Sequence, residues 1–467
     1  MTGPTDVDLP DGFQVQIDLR CARNGDLRYL IGGSPTRVLK LSDRALGMTS
    51  ADGRIAVHDS STRALARTLL DSGIGLPRPM CGPSTESVTV VIPVRDNQSG
   101  VDALVKALAG KRVIVVDDGS PDPIRAEGER VTVIRFDENR GPAAARNAGA
   151  AAAETDFVAF LDSDTLPASD WLTMLLAHFS DPRTAIVAPR IIGRHTPGRA
   201  STVVKYANAH SSLDMGPNEA PVVPGSALAY VPSAAMVVRR SAFLGFDESL
   251  RVAEDVDLCW RTHEAGWRVY YDPVAQVRHD HREGLRQLLD RRRFYGTGAA
   301  HLASRHGPTA APVMSTALVA VAVVGLLSRT KLGWLVAAVI MLTSLYNTRK
   351  LLDGVPGREI IATRAVGRGL GFGLLQAAQA LLRHYWPVTL MVALVWPRFR
   401  NLVWQLAIAE GVIAWVRSEV MESRIPTVGP LGYIVMHRLD DLAYGTGLWQ
   451  GVMTEASPTA LRPRLRV

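Results

Sequence analysis

Between Thr155 and Pro167 the chain reads TDFVAFLDSDTLP, an apolar strand that ends in two aspartates one residue apart, Asp162 and Asp164. Residues i and i+2 of a strand point the same way, so both carboxylates emerge together where the strand runs out. Paired hard oxygens at the carboxyl end of a strand suit Mg²⁺ or Mn²⁺ bridging to a ligand's phosphates. A solvated turn uses the same residues, so this stretch alone leaves both readings open.

Two segments upstream narrow the choice. VTVVIPVRDN (Val88 to Asn97) and KRVIVVDDGS (Lys111 to Ser120) are β-branched runs that end in polar and turn residues. Between them VDALVKALAG carries apolar residues at helical spacing and a glycine stop, which gives a β-α-β order. Ligands of open α/β sheets collect at the carboxyl ends of strands, so Asp117, Asp118, Gly119 and Asp164 are expected in one crevice. Downstream, RVAEDVDLCWRTHEAGWRVYYDP places Glu254, Asp255 and Asp257 at the start of a helix. Carboxylates favour that position through the helix dipole alone, so capping is the competing account.

Taken in order, these segments resemble the family 2 glycosyltransferases, which use sugar nucleotides on an α/β sheet called the GT-A fold. The resemblance runs from Val88 to about Tyr295 through VIPVRDN, VVDDGS, ENRGPAAARNAG, FLDSDTLP, GFDE with AEDVDLCWR, and GWRVYYDP with VRHDH. It implies that Pro93 and Arg95 line the nucleotide pocket, and that Asp118 holds the base, with Asp117 and Gly119 shaping the turn. Asn139 and Gly141 would open a helix at Pro142, with Arg146 and Asn147 one turn in, facing phosphate or donor sugar. Asp162 and Asp164 correspond to the family's metal motif, with Asp164 the direct ligand and His279 supplying a nitrogen; His281 competes for that role. Asp255 is implied as the general base, kept ionised by the helix start, and Glu254 as orienting the acceptor or supporting the Asp255 loop. Arg291, Arg292 and Arg293 would clamp the diphosphate or else lie on a membrane surface. The Gln-x-x-Arg-Trp signature of cellulose-synthase-like relatives is missing here, which counts against a polymer-extruding synthase.

Length and charge frame the rest. A chain of 467 residues is expected to hold two or more domains. A net charge of +7 fits anionic partners such as sugar nucleotides or acidic lipids, and the basic residues form no aromatic-interleaved stripe for nucleic acid. Cys21, Cys81 and Cys259 show no disulfide or metal spacing, and the acidic, polar start is not a signal peptide, so a cytosolic setting is expected.

Residues 1–80 form a separate α+β module ahead of the catalytic domain at 86–300. Phe13, Val15, Ile17 and Leu19 alternate as a strand, Asn24–Gly25 turns, and Ser61 is expected to cap a helix ending at Gly73. Leu76 to Pro83 reads as a linker. The module loosely resembles winged-helix modules that bind leader peptides; a plain appendage is the alternative. From 306 to 420 the chain turns apolar. Thr309 to Ser328 is twenty residues without a charge, long enough to span a bilayer, and Leu332 to Tyr346 is short for a span unless it enters at an angle. Gly371 to Trp396, interrupted by Arg383 and His384, and Leu402 to Val416 read as amphipathic or interfacial helices, with full spans the alternative. Basic residues ahead of the first run place the catalytic domain on the cytoplasmic side of a cell membrane. Residues 421–467 are expected as a tail, disordered after Pro458.

This architecture is similar to that of family 2 enzymes acting on a peptide-derived redox cofactor. The similarity implies inverting transfer of β-linked glucose from UDP-glucose to a small peptide-derived acceptor. A polyprenyl-phosphate or glycolipid transferase would keep the same catalytic residues but leaves the first module unexplained. A non-catalytic scaffold would have lost Asp118, Asp164 and Asp255, all of which are present.

Overall fold

The computed structural model describes residues 8–23, 26–33, 36–194, 201–280, 284–422 and 428–466. It divides into one unit of residues 1–196 and 210–281 and a second of residues 197–209 and 282–467. The turn expected at Asn24–Gly25 lies outside the described residues.

A mixed sheet organises the first unit. Strands Phe157–Leu161, Val88–Val94, Arg112–Asp117 and Val131–Arg135 are parallel neighbours in that order. Ala235–Arg239 runs antiparallel to Phe157–Leu161 and joins it to Thr184–Gly193, which lies parallel to Arg268–His279. The parallel strands are buried along nearly their whole length, as near-continuous Val/Ile runs covered on both faces require. Helix Gln98–Ala107, capped by the Asn97 side chain on the Gly100 amide (3.1 Å), supplies the β-α-β crossover. Helix Pro142–Ala152 buries Ala143, Ala144, Ala145 and Ala150. Its Gly149 lies so close to the sheet that a Cβ would sit 2.3 Å from Val91.

A bulge interrupts the far side of the sheet. Pairing between Thr184–Gly193 and Arg268–His279 jumps from Pro189–Asp272 to Arg190–Gln276, so residues 273–275 bulge out. Beyond the bulge, His279 pairs with Thr165 of the short strand Thr165–Pro167.

The N-terminal module carries two three-stranded antiparallel sheets, with a core of Phe13, Val15, Ile17, Leu30, Ile55, Leu69 and Ile74. Leu19 leaves the alternation and is exposed. The expected linker begins instead as strand Gly75–Arg78, an edge strand where Pro77 costs no ladder bond. Asp59, not Ser61, caps helix Ser60–Asp71, because Asp59 and Thr62 cap each other reciprocally. Charged contacts fix the module to the sheet. Arg67 makes two 3.0 Å bonds to the buried Asp181, Arg268 reaches Asp71 at 2.6 Å, and Arg78 holds Glu219.

The second unit is helical. Helix Leu285–His306 belongs to it, so the first unit ends at residue 281, ahead of the boundary expected at 300. That helix packs along Pro430–Thr454, a 25-residue helix where a tail was expected. The two backbones touch at Gly296 and Gly447; a Cβ on Gly447 would lie 1.8 Å from the Arg293 carbonyl. The run expected as a first membrane span is divided. A 3₁₀ turn at Gly307–Ala310 and strand Met314–Thr316 precede helix Ala317–Leu327, whose 11 residues begin at the Thr316 cap. That helix reaches about 16 Å, against about 30 Å of bilayer hydrocarbon. No described helix is long and apolar enough to cross a membrane. The described residues after Pro458, expected as disordered, form a 3₁₀ turn at Pro458–Leu461 and a strand, Arg464–Arg466, that pairs in parallel with Met314–Thr316.

Arg67 and Asp181 are largely buried (14% and 5% of their side chains exposed), so removing the cation leaves a buried carboxylate with only the longer contact to Arg268 (3.9 Å). Arg67→Ala is expected to cost about 3 kcal/mol of stability in urea unfolding. A loss below about 1 kcal/mol would make the pair a surface-type contact.

Candidate active site

Three parallel strands end together, and their last residues build the crevice. Val88–Val94 hands over to Arg95 and Asp96, and Pro93 is buried at its end. Arg95 is exposed beside Asp96 (3.6 Å), and Asp96 has a left-handed backbone (φ 57°) pinned by the Ser120 hydroxyl (3.0 Å). At the next strand end, Asp117 is fully buried. It accepts the Ser120 and Ile124 amides (3.0 and 3.2 Å) and pairs with Arg135. Burial works against its ionisation, but the Ser120 bonds, the Ile124 amide and Arg135 together hold its carboxyl below the usual range. Gly119 follows at φ 67°, where a Cβ would lie 2.6 Å from the Glu138 carbonyl carbon.

Asp118 is buried, and its oxygens accept the Arg140 and Gly141 amides (2.7 and 2.9 Å). It therefore braces the loop that enters helix Pro142–Ala152. Asn139 lies on that loop, 3.3 Å from Arg251. Asn147 bonds the Phe246 backbone in both directions (2.8 Å each) and Glu248 at 3.0 Å. Its role is to fix the turn ahead of the acidic helix.

Arg146 is the hub. It is buried, donates to Asp162 at 2.6 Å and to Glu254 at 3.0 Å, and lies over the Phe246 ring at 5.4 Å. Donor binding was expected of it; the structure commits it to joining the two acidic motifs. Asp162 thus has one oxygen on a cation, while Asp164 is half-exposed and lies 3.3 Å from His279 Nε2. Burial opposes protonation of His279, but Asp164, Asp162 and Asp280 outweigh it and raise its pKa. Asn97, a residue the sequence reading had not placed here, ties Ser163 between the two aspartates (3.1 Å to its carbonyl and hydroxyl). His281 lies outside the described residues.

Asp255 is the second residue of helix Glu254–Glu264, which follows Ala253, a non-glycine residue at φ 64°. Its oxygens accept the Ser233 amide (3.2 Å) and the Val256 amide (2.8 Å). The helix start was expected to keep it ionised. Instead, desolvation and the neighbouring Glu254 charge raise its pKa to about 7, outweighing those amides and Arg146. Asp257 is spent on Arg261 at 2.6 Å.

Of the arginine cluster expected as a diphosphate clamp, Arg292 is buried against Asp440 (2.7 Å), so its charge is matched inside the helical unit. Arg293 and Arg291 are exposed, the first bonding Gln450 (2.7 Å) and the second lying over the Tyr295 ring.

Arg146→Met is expected to destabilise the protein by about 3 kcal/mol near neutral pH, because Asp162 and Glu254 lose a buried cation. Urea titrations check this, and a loss below about 1 kcal/mol would exclude the bridging role. Asp255 adds a pH dependence: its folded pKa lies above its unfolded one, so stability falls as pH rises from about 4 to about 7. Asp255→Asn should flatten that fall.

Residues 89–243 match the model of Glycosyl transferase family 2. The chain is 46% identical to the pre-mycofactocin glycosyltransferase of Mycobacterium tuberculosis, over 98% of this chain and 99% of that one. It is 27% identical to the O-antigen chain rhamnosyltransferase RfbN of Salmonella typhimurium, over 46% of this chain and 73% of the other. Similarity to the poly-beta-1,6-N-acetyl-D-glucosamine synthase of Staphylococcus aureus is 26%, over 39% and 45%. End-to-end relationship with the first of these, added to the crevice at the strand ends, makes this chain an enzyme belonging to the family 2 glycosyltransferases.

Proposed function

We propose that the enzyme is a metal-dependent, inverting hexosyltransferase that moves glucose from UDP-glucose onto a peptide-derived acceptor of the mycofactocin pathway. One observation carries the chemistry: Arg146 ties the Asp162 motif, next to Asp164 and His279, to the Glu254–Asp255 helix start. Donor-side and acceptor-side groups thereby share one crevice. The acceptor class rests on the relationship to the pre-mycofactocin enzyme over 98% of the chain.

Asp164 and His279 offer one oxygen and one nitrogen 3.3 Å apart, and Asp162 keeps an oxygen clear of Arg146. That small set suits Mg²⁺ or Mn²⁺, which take few protein ligands when phosphates complete the shell. The bound ion would neutralise the charge on the departing diphosphate. Asp255 takes the proton of the acceptor hydroxyl as its oxygen attacks the anomeric carbon and the bond to the diphosphate breaks. A carboxyl with a pKa of about 7 suits that transfer near neutral pH. Pro93, Arg95 and the Asp118 loop are read as the nucleotide side. Attack opposite the leaving group turns an α-linked donor into a β-linked product.

The same reading puts the protein at the cell membrane with its catalytic unit toward the cytoplasm, supported by large apolar side chains exposed on the helical unit. That surface also favours a second reading, a lipid-linked acceptor.

Asp255→Asn is expected to lower kcat roughly a thousandfold and to leave nucleotide affinity within a few-fold. Wild-type rate should rise with pH through about 7 as Asp255 ionises. Calorimetry of nucleotide binding, a pH–rate profile and NMR of the product anomer test this. An α-linked product, or full activity in chelator, would overturn the mechanism.

A further inference from the structure

Polarity is reversed in the helical unit. Arg292, Glu410, His437, Asp440 and Asp441 are each less than a tenth exposed, linked by Arg292–Asp440 (2.7 Å), Arg438–Asp441 (3.0 Å) and an Arg438–Glu410 pair. Facing outward instead are Trp334, Leu342, Tyr346, Val395, Trp396 and Trp404, all more than half exposed. Soluble surfaces seldom show so many large apolar groups, and Trp and Tyr favour the level of lipid headgroups.

Charge supplies the second observation. From Arg329 to Arg417 the chain has eleven Arg and Lys against three acids. Glu410 is buried, and Asp353 and Glu359 are matched by Arg358 and Arg349. Lys331, Lys350, Arg364, Arg368, Arg398 and Arg400 are exposed and make no ion pair among the described residues. Apolar side chains and unpaired cations therefore share helices Lys331–Leu351, Arg358–Gln379 and Pro397–Trp415. This is the composition of surfaces that lie in the interface of an acidic bilayer. A second copy fits poorly, since two such faces repel.

We infer that the helical unit docks on an anionic lipid surface, its exposed Trp, Leu and Val entering the interface while its unpaired Arg and Lys meet lipid phosphates. The inference rests on the membrane attachment proposed above and adds the kind of lipid.

Full-length protein would be sedimented with phosphatidylcholine vesicles and with vesicles that also contain phosphatidylglycerol. Binding to the acidic vesicles is expected to be tighter by roughly fivefold for each cation at the surface, and to weaken with salt. Arg398→Ala with Arg400→Ala should lower binding to acidic vesicles roughly 25-fold and leave neutral vesicles unaffected. Arg364→Ala with Arg368→Ala, on a different helix, repeats the measurement. Equal binding to both vesicles would overturn the lipid preference and leave the membrane reading standing. No binding to either, or a stable dimer by light scattering that hides the Trp residues, would overturn both.

Discussion

A single buried guanidinium holds the catalytic unit's acidic motifs together. Arg146 donates to Asp162 through one terminal nitrogen and to Glu254 through the other, and is only 3% exposed. Two carboxylates from distant segments would repel if brought this close without it. Buried ion pairs add little net stability, but they are strongly destabilising to break, so the pairing acts mainly as a specification of geometry. Ala-rich packing serves the same end, because small side chains let the helix sit down on the sheet far enough for Arg146 to span both acids.

From the first module to Asp255 there is a continuous series of fixed points. Arg78 and Tyr270 hold Glu219, Arg190 holds Asp214 through two 2.8 Å bonds, Trp260 bonds the Ala229 carbonyl, and Ser233 donates to Asp255. The N-terminal module is thus a brace on the segment that leads to the acidic helix. Its strands and helix bury their own core, so it holds that segment as a folded body.

The parallel sheet was legible because its strands are buried on both faces and so read as unbroken apolar runs ending in turn residues. The clustering of strand-end aspartates follows from the same pattern. Arg146's partners were not legible: they lie 16 and 108 residues away, and no local spacing reports such a contact. Asp255's raised pKa was hidden too, since a helix start predicts an ionised carboxylate and only the fold reveals the desolvation. Helix Pro430–Thr454 escaped because its buried face carries His437, Asp440 and Asp441, which break the expected apolar stripe. Arg292 was misread for the related reason that a buried ion pair looks, in sequence, like a surface charge.

The bulge at residues 273–275 separates strand Arg268–His279 into two segments with independent registers. Tyr270 and Tyr271 before it serve the braced loop, through Glu219 and the Gly216 carbonyl, while His279 after it faces Asp164. An insertion ahead of the bulge can be absorbed there without moving the histidine. A single deletion between Gln276 and His279 has no such slack: it would set Asp280 opposite Thr165 and replace an imidazole with another carboxylate. Chain length in those few residues therefore constrains the site more tightly than residue identity does in the bulge itself.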